Sequence, residues 1–205
     1  MAAHHYYYAD AASDHTHAYI LPTVRRALAR RPPPARLLDL GCGNGSSTAI
    51  IAALGYDVVG LDNSPMGIAE ARKAFPGPRF EVADVYDDLA ATYGLFDIIL
   101  SLEVVEHLMS PKTYAERLAD CLKPGGLAIV STPYHGYVKN LALAVAGKID
   151  AHHDALWEGG HVKFFSRAKL VELFARVGLE LQGFDRVGRI PPLAKSMVAT
   201  FVKPA

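Results

Sequence analysis

From Arg36 onward the chain alternates short apolar runs with stretches of helical composition, and few architectures accept that rhythm. A strand buried on both faces reads as a near-continuous apolar run, and strands alternating with helices build a parallel sheet covered on both sides. Strands are expected at residues 37–40, 56–61, 79–83, 96–102, 127–131, 179–187 and 197–202, and helices at 45–54, 65–75, 113–122, 137–146 and 167–177. Lys123-Pro124-Gly125-Gly126 reads as a turn before the fifth strand. The last two strands read as a hairpin. The fold class expected is therefore α/β: a doubly wound, mostly parallel seven-stranded sheet with a terminal antiparallel hairpin.

A chain of 205 residues fits one domain. A helical cap is expected over about 1–34, with a helix at 16–30 whose late arginines suit a helix carboxyl end, before the break at Arg30 to Pro34. A substrate-side insertion is expected at about 134–165. The cluster His4 to Tyr8 and the pair His15 and His17 are expected either to close over the cofactor or to be partly disordered, with His17 and Tyr19 of the cap touching the methionine end of the cofactor or the acceptor. Only two cysteines are present, Cys42 and Cys121, without disulfide or zinc spacing, which suits a reducing compartment. Residues 1–14 lack a basic region followed by an apolar run, so the cytoplasm is the expected location. Lys plus Arg and Asp plus Glu are 21 each, a balance that leaves no footprint for a long polyanion such as RNA.

Asp39-Leu-Gly41-Cys42-Gly43-Asn-Gly45 falls where the first strand hands over to a helix, and its glycines let the backbone turn sharply and approach a ligand. The spacing G-x-G-x-G, two residues after an aspartate, differs from the pyrophosphate fingerprint G-x-G-x-x-G and favours a ligand with an amino acid end. Asp62 ends the second strand, where a carboxylate can accept from both hydroxyls of an adenosine ribose, although Asn63-Ser64-Pro65 also suits a simple turn or helix cap. Asp84 closes the third strand in the same manner.

These segments, LDLGCGNG, VVGLDNS, Ala83-Asp84-Val85, FDIILSLEVVEH and LKPGGLAIVSTP, resemble the class I S-adenosylmethionine-dependent methyltransferases, whose fold is Rossmann-like. The resemblance implies that Asp39 and the turn Gly41, Cys42, Gly43 and Gly45 meet the methionine part of S-adenosylmethionine. It places Asp62 at the ribose, Asn63, Asp84 and Val85 at the adenine, and Ser101 and Leu102 on the sulfur side.

Glu103, Glu106 and His107 form E-x-x-E-H after the fourth strand, and a helical turn puts all three on one face. Two carboxylates and an imidazole converging in a cleft need a cation or a proton between them, unless the carboxylates face water and His107 caps a helix. Together with His161-Val-Lys-Phe-Phe-Ser-Arg, the turn resembles two metal-dependent branches of the same superfamily: the small-RNA 3′-terminal 2′-O-methyltransferases and the ubiquinone-biosynthesis O-methyltransferases. The resemblance implies Glu103, Glu106, His107 and His161 as ligands of a divalent cation, and leaves Mg, Mn, Fe, Co and Zn open. His152-His153 offers further imidazoles on the insertion but reads as a solvated surface pair before a ligand pair, while His107 and His135 are candidate bases.

Methyl transfer from a sulfonium is an in-line displacement in which the protein aligns and deprotonates the nucleophile. A cation chelating two neighbouring oxygens lowers the pKa of the attacking one, so a small vicinal diol or catechol is the expected acceptor. Tyr134, Tyr137, Trp157, Phe164 and Phe165 flank the expected site and either wall such an acceptor or, for most of them, belong to the ordinary core. Nucleic acid is not expected. The apolar stretch 141–146, between Lys139 and Lys148, suits a buried lid helix, or else peripheral membrane contact through 137–148. Two other classes stay open: a metal-free N-, C- or O-methyltransferase, and a non-catalytic cofactor-binding module.

Overall fold

A computed structural model describes residues 16–153, 155–157 and 159–205. The expected cluster at residues 4–8 and His15 lie outside the described residues. The strands are β1 (Arg36–Leu40), β2 (Asp57–Asp62), β3 (Arg79–Val82), β4 (Phe96–Leu102), β5 (Leu122–Pro133), β6 (Glu180–Val187) and β7 (Ser196–Val202). They form one seven-stranded sheet in the order β3-β2-β1-β4-β5-β7-β6. β1 to β5 run parallel, and β7 lies antiparallel between β5 and β6, so the doubly wound sheet with its terminal hairpin stands as expected. Strand order reverses between β1 and β4, and a crevice opens beyond their carboxyl ends, where open α/β sheets bind ligands.

The helices are α1 (His17–Leu28), α2 (Ser46–Ala52), α3 (Pro65–Ala74), α4 (Leu89–Tyr93), α5 (Pro111–Cys121), α6 (Tyr137–Val145), α7 (Ile149–His152) and α8 (Arg167–Ala175). Strand side chains alternate between faces. Leu37, Ile98, Leu100 and Ile129 join Ile20, Val24 and Leu28 of α1 in one core cluster. Leu38, Leu40, Ile99 and Val130 join Tyr114 and Leu118 of α5 and Leu170 and Phe174 of α8 in another. The end of α1 is pinned by the Tyr56 hydroxyl, which donates to the carbonyls of Leu28 (3.1 Å) and Arg31 (3.0 Å).

β5 begins at Leu122, ahead of the expected 127, because the Pro-Gly-Gly segment finds backbone partners. Gly125 N–H donates to the Lys203 carbonyl at 2.8 Å, and Lys203 N–H to the Gly126 carbonyl at 3.0 Å. The sequence reading did not place α4, which Asp88 caps by accepting from Ala91 N–H at 3.1 Å, or the four-residue α7.

The lid expectation for residues 137–146 needs correction. On α6 only Lys139 is buried, while Tyr137, Val138, Leu141 and Val145 are exposed. Ala142 and Leu143 line the cleft, so the helix walls the site with one face and shows an apolar face to the outside.

Candidate active site

The cleft, about 1630 Å³, lies at the carboxyl ends of the central strands. Its first wall is the glycine turn, hooked to β2 by Gly41 N–H (2.8 Å) and Cys42 N–H (3.0 Å), both donating to the Leu61 carbonyl. Gly41 has φ +84°, and a Cβ there would stand 2.4 Å from Val104 Cγ2, so both conformation and space demand glycine. Asp62 carries more than a ligand contact. One of its oxygens accepts from Gly43 N–H and the other from Ser64 N–H, each at 2.8 Å, so this carboxylate orders the turn while facing the cleft. Asp84 accepts from Tyr86 N–H at 3.0 Å, and Asn63, Val85 and Leu102 share its side of the wall.

Two expected cofactor residues stand behind the wall instead. Ser101 is fully buried, and its hydroxyl donates to the Leu40 carbonyl at 2.8 Å, tying β4 to β1. Gly45 backs onto Ala71 and Phe80, where it allows close packing of the following helix. His17 of the cap does reach the cleft and meets the Ser47 hydroxyl through Nε2 at 2.8 Å, and Tyr19 lines it as well.

Asp39 sits deepest on this wall and accepts from the Thr48 hydroxyl at 2.6 Å. Burial pushes its carboxyl up to about 7; the Thr48 hydrogen bond opposes this and the Asp62 charge adds to it. The folded protein thus holds a proton on Asp39 that the unfolded chain releases near pH 4. This contribution to stability is full below about pH 4 and is lost as pH rises through about 7. Urea midpoints of the parent relative to Asp39→Asn should therefore fall across that window, by an amount of the order of 4 kcal/mol, and a constant difference from pH 4 to 8 would contradict it.

The second wall is the acidic turn. Glu103 has φ +54°, a conformation rare outside glycine, and one set of bonds holds it there. Its backbone N–H donates to the Ser131 hydroxyl at 3.0 Å, while its carboxylate accepts from the hydroxyls of Ser131 (2.7 Å) and Ser196 (3.0 Å). Glu106 follows on a single 3-10 turn, Val105–His107, 1% exposed. Among the described residues neither Glu106 carboxylate oxygen has a hydrogen-bond partner. Burial holds this carboxyl well above the usual range and the Glu103 charge raises it further, while its own backbone N–H and the nearby Thr132 hydroxyl, neither in hydrogen-bonding geometry, pull weakly the other way.

Main-chain bonds bring His161 to this turn across the fold: Val162 and Lys163 N–H both donate to the Glu106 carbonyl at 2.9 Å. His107 Nδ1 faces the carbonyls of Gly159 (2.9 Å) and Gly160 (3.2 Å), which only accept, so Nδ1 carries the proton and Nε2 keeps a lone pair. That Nε2 lies 4.0 Å from a Glu106 oxygen. Ligand atoms of Glu106, His107 and His161 all lie within 4.8 Å of one another. Burial depresses His107, and takes His161, with the His107 charge adding, down to about 4, so both are neutral donors at pH 7. Glu103 faces the cleft beside this trio and is not one of the three.

The cleft also carries basic groups: the sequence pointed to Lys139, as a flank of the apolar stretch, but not to Arg189 or Lys195. Lys139 of α6 lines it together with Arg189 and Lys195, both from the connection between β6 and β7. His135 lines it too, with its imidazole held down to about 4 by burial and the nearby Lys139 charge.

A glycine turn at the switch point, with carboxylates ending β1 and β2 and another just past β3, defines the cleft of a class I methyltransferase. The comparisons agree: residues 12–182 match the model of a methyltransferase domain. The chain belongs to that family, the S-adenosylmethionine-dependent methyltransferases. A ubiquinone biosynthesis O-methyltransferase of Cereibacter sphaeroides is 36% identical over 162 residues, which cover 76% of this chain and 63% of that protein. The chain therefore spans less than two-thirds of that relative's length. In fold it is similar to the magnesium protoporphyrin IX methyltransferase of Synechocystis with bound S-adenosylhomocysteine, with a TM-score of 0.71, 18% identity and coverage of 90% and 82% of the two chains. It is equally similar to a Pyrococcus horikoshii protein, with a TM-score of 0.71, 19% identity and coverage of 96% and 94%.

Proposed function

We propose that the chain transfers the methyl group of S-adenosylmethionine to a hydroxyl of a small vicinal-diol or catechol-like acceptor, with a divalent cation at the acidic turn. The observation that carries this reading is Glu106: a buried carboxylate without a hydrogen-bond partner among the described residues, within ligand reach of two neutral imidazoles. Nature rarely leaves a carboxylate so placed unless a cation or a proton completes it. One carboxylate with two imidazoles suits a divalent transition metal well and Mg²⁺ less well. Glu106, His107 and His161 would hold the ion, with Glu103 beside them on the cleft wall. Such an ion, when bound, lowers the pKa of a chelated hydroxyl and fixes its direction.

The chain's own residues do the rest. Asp62, Asp84 and the glycine turn hold the cofactor, and the hydrogen bonds of His107 Nδ1 to Gly159 and Gly160 lock its ring and tautomer. His135 has too low a pKa to draw a hydroxyl proton at neutral pH, so the reading does not make it the base. The basic groups Lys139, Arg189 and Lys195 suit an anionic substituent on the acceptor. The reading includes a cytoplasmic location, in keeping with two buried free thiols, Cys42 and Cys121. The test is product analysis with methyl-labelled S-adenosylmethionine and 3,4-dihydroxybenzoate, an aliphatic vicinal diol and an arylamine. Label on oxygen of either diol is expected, and label on the amine alone would refute the reading.

We also propose that α6 rests on a membrane surface. No helix among the described residues is long and apolar enough to cross a membrane. Tyr137, Val138, Leu141 and Val145 are nevertheless exposed together on α6, and Ile149 and Leu156 are exposed just beyond it. The parent should sediment with phosphatidylglycerol vesicles and a Leu141→Glu/Val145→Glu variant should not; a parent that stays in the supernatant would remove the proposal.

A further inference from the structure

A second group of ligating side chains lies outside the acidic turn. His135 follows β5 and is anchored by its backbone N–H, which donates to the Phe165 carbonyl at 3.2 Å. His152 ends α7 and His153 follows it, and one ring nitrogen from each of these three histidines lies within 4.8 Å of the other two. Phe164 packs edge-on against His135 (5.0 Å between centroids) and His153 (4.7 Å), fixing the planes of both rings. We propose that His135, His152 and His153 form a second cation site, which takes a borderline divalent ion of the zinc, cobalt or nickel class.

Aromatic packing alone would account for the ring contacts. It does not account for an imidazole on all three rings, nor for His135 being 8% exposed while its Nε2 finds no hydrogen-bond partner among the described residues. The donor set is three imidazoles with no carboxylate. Such a set discriminates against Mg²⁺ and Ca²⁺, which seek oxygen, and suits Zn²⁺, Co²⁺ and Ni²⁺. It contrasts with the mixed carboxylate and imidazole set at Glu106. Nitrogens around a tetrahedral zinc stand roughly 3.3 Å apart for bonds of about 2.0 Å, so the rings must turn inward by about an ångström. His152 is exposed and ends a single-turn helix, so its share of that adjustment meets little packing, whereas His135 and His153 turn against Phe164. Lys139 opposes it: its ammonium is buried nearby and donates to the Tyr134 carbonyl at 2.9 Å. Three protein ligands leave an open coordination position, the arrangement of zinc sites that bind a water or a small anion. The inference does not rest on the proposed methyl acceptor or on the ion at the acidic turn.

The test is Co²⁺ titration of the chelator-treated full chain in excess Mg²⁺, read by visible d–d absorption and by metal content after desalting. The parent is compared with His152→Ala/His153→Ala and with Glu106→Leu/His161→Ala. Histidines 4, 5 and 15 are common to all three proteins and cancel in the differences. Loss of one cobalt equivalent in His152→Ala/His153→Ala, with that equivalent kept in Glu106→Leu/His161→Ala, supports the second site whether or not the acidic turn binds metal. Identical uptake by the parent and His152→Ala/His153→Ala overturns it, even if the acidic-turn variant loses metal.

Discussion

Replacing Asp62 by alanine should weaken S-adenosylhomocysteine binding at least ~100-fold in a calorimetric titration. Hydrogen bonds to a carboxylate are each worth about 1.5–3 kcal/mol, and the loss here is compound. The carboxylate that faces the ligand also accepts from Gly43 and Ser64 N–H, so alanine removes the contact and releases the turn that forms the rest of the site. Asp62→Asn separates the two effects. Its amide oxygen can still accept one of these N–H groups, but its amide nitrogen can accept neither the other nor a ribose hydroxyl. Its affinity should therefore fall between parent and alanine, with a circular dichroism spectrum like the parent's. Unchanged affinity in both variants would mean that the cofactor lies elsewhere.

Glu106→Leu should have opposite effects on stability and on activity. In chelator-treated protein it should raise stability by about 2 kcal/mol, because replacing a buried carboxyl without a hydrogen-bond partner by an apolar side chain removes a desolvation cost. The carboxyl is held well above its ordinary pKa, so the folded state favours the protonated form, and the parent loses stability as pH rises above the ordinary carboxyl range. The advantage of leucine should grow in the same direction. The bonds from Val162 and Lys163 N–H to the Glu106 carbonyl survive the substitution, so His161 stays in place. Metal-stimulated methyl transfer should nevertheless fall at least ~100-fold. A variant that is less stable than the metal-free parent at pH 8 would show that Glu106 supports the fold rather than a ligand.

The sheet was legible because burial on both faces writes each central strand as a compact apolar run; β4 falls at residues 96–102 in both readings. The start of β5 was not, since Pro-Gly-Gly has turn chemistry and only the distant Lys203 backbone reveals it as paired. α4 and α7 are too short for a periodic signal, although Asp88 is a capping residue that marks the first. In the site, contiguous motifs carried the glycine turn, Asp62 and the E-x-x-E-H turn. What a local motif could not carry is the state of each group. Ser101 turns from the cleft to pin β1, Glu103 is held by two serines from other strands, and Glu106 lacks a partner, all consequences of packing between elements. His152 and His153 read as a solvated pair because the residue that gives them a third ring, His135, arrives from the end of another strand.

The most direct test of the account is the initial rate of methyl transfer from S-adenosylmethionine to 3,4-dihydroxybenzoate by chelator-treated protein, before and after adding Mg²⁺, Mn²⁺, Co²⁺ or Zn²⁺. The account predicts a rate near background without metal, restored by at least one of these ions in the parent and by none in Glu106→Leu. A chelator-treated parent that methylates the catechol as fast as the reconstituted protein would contradict it.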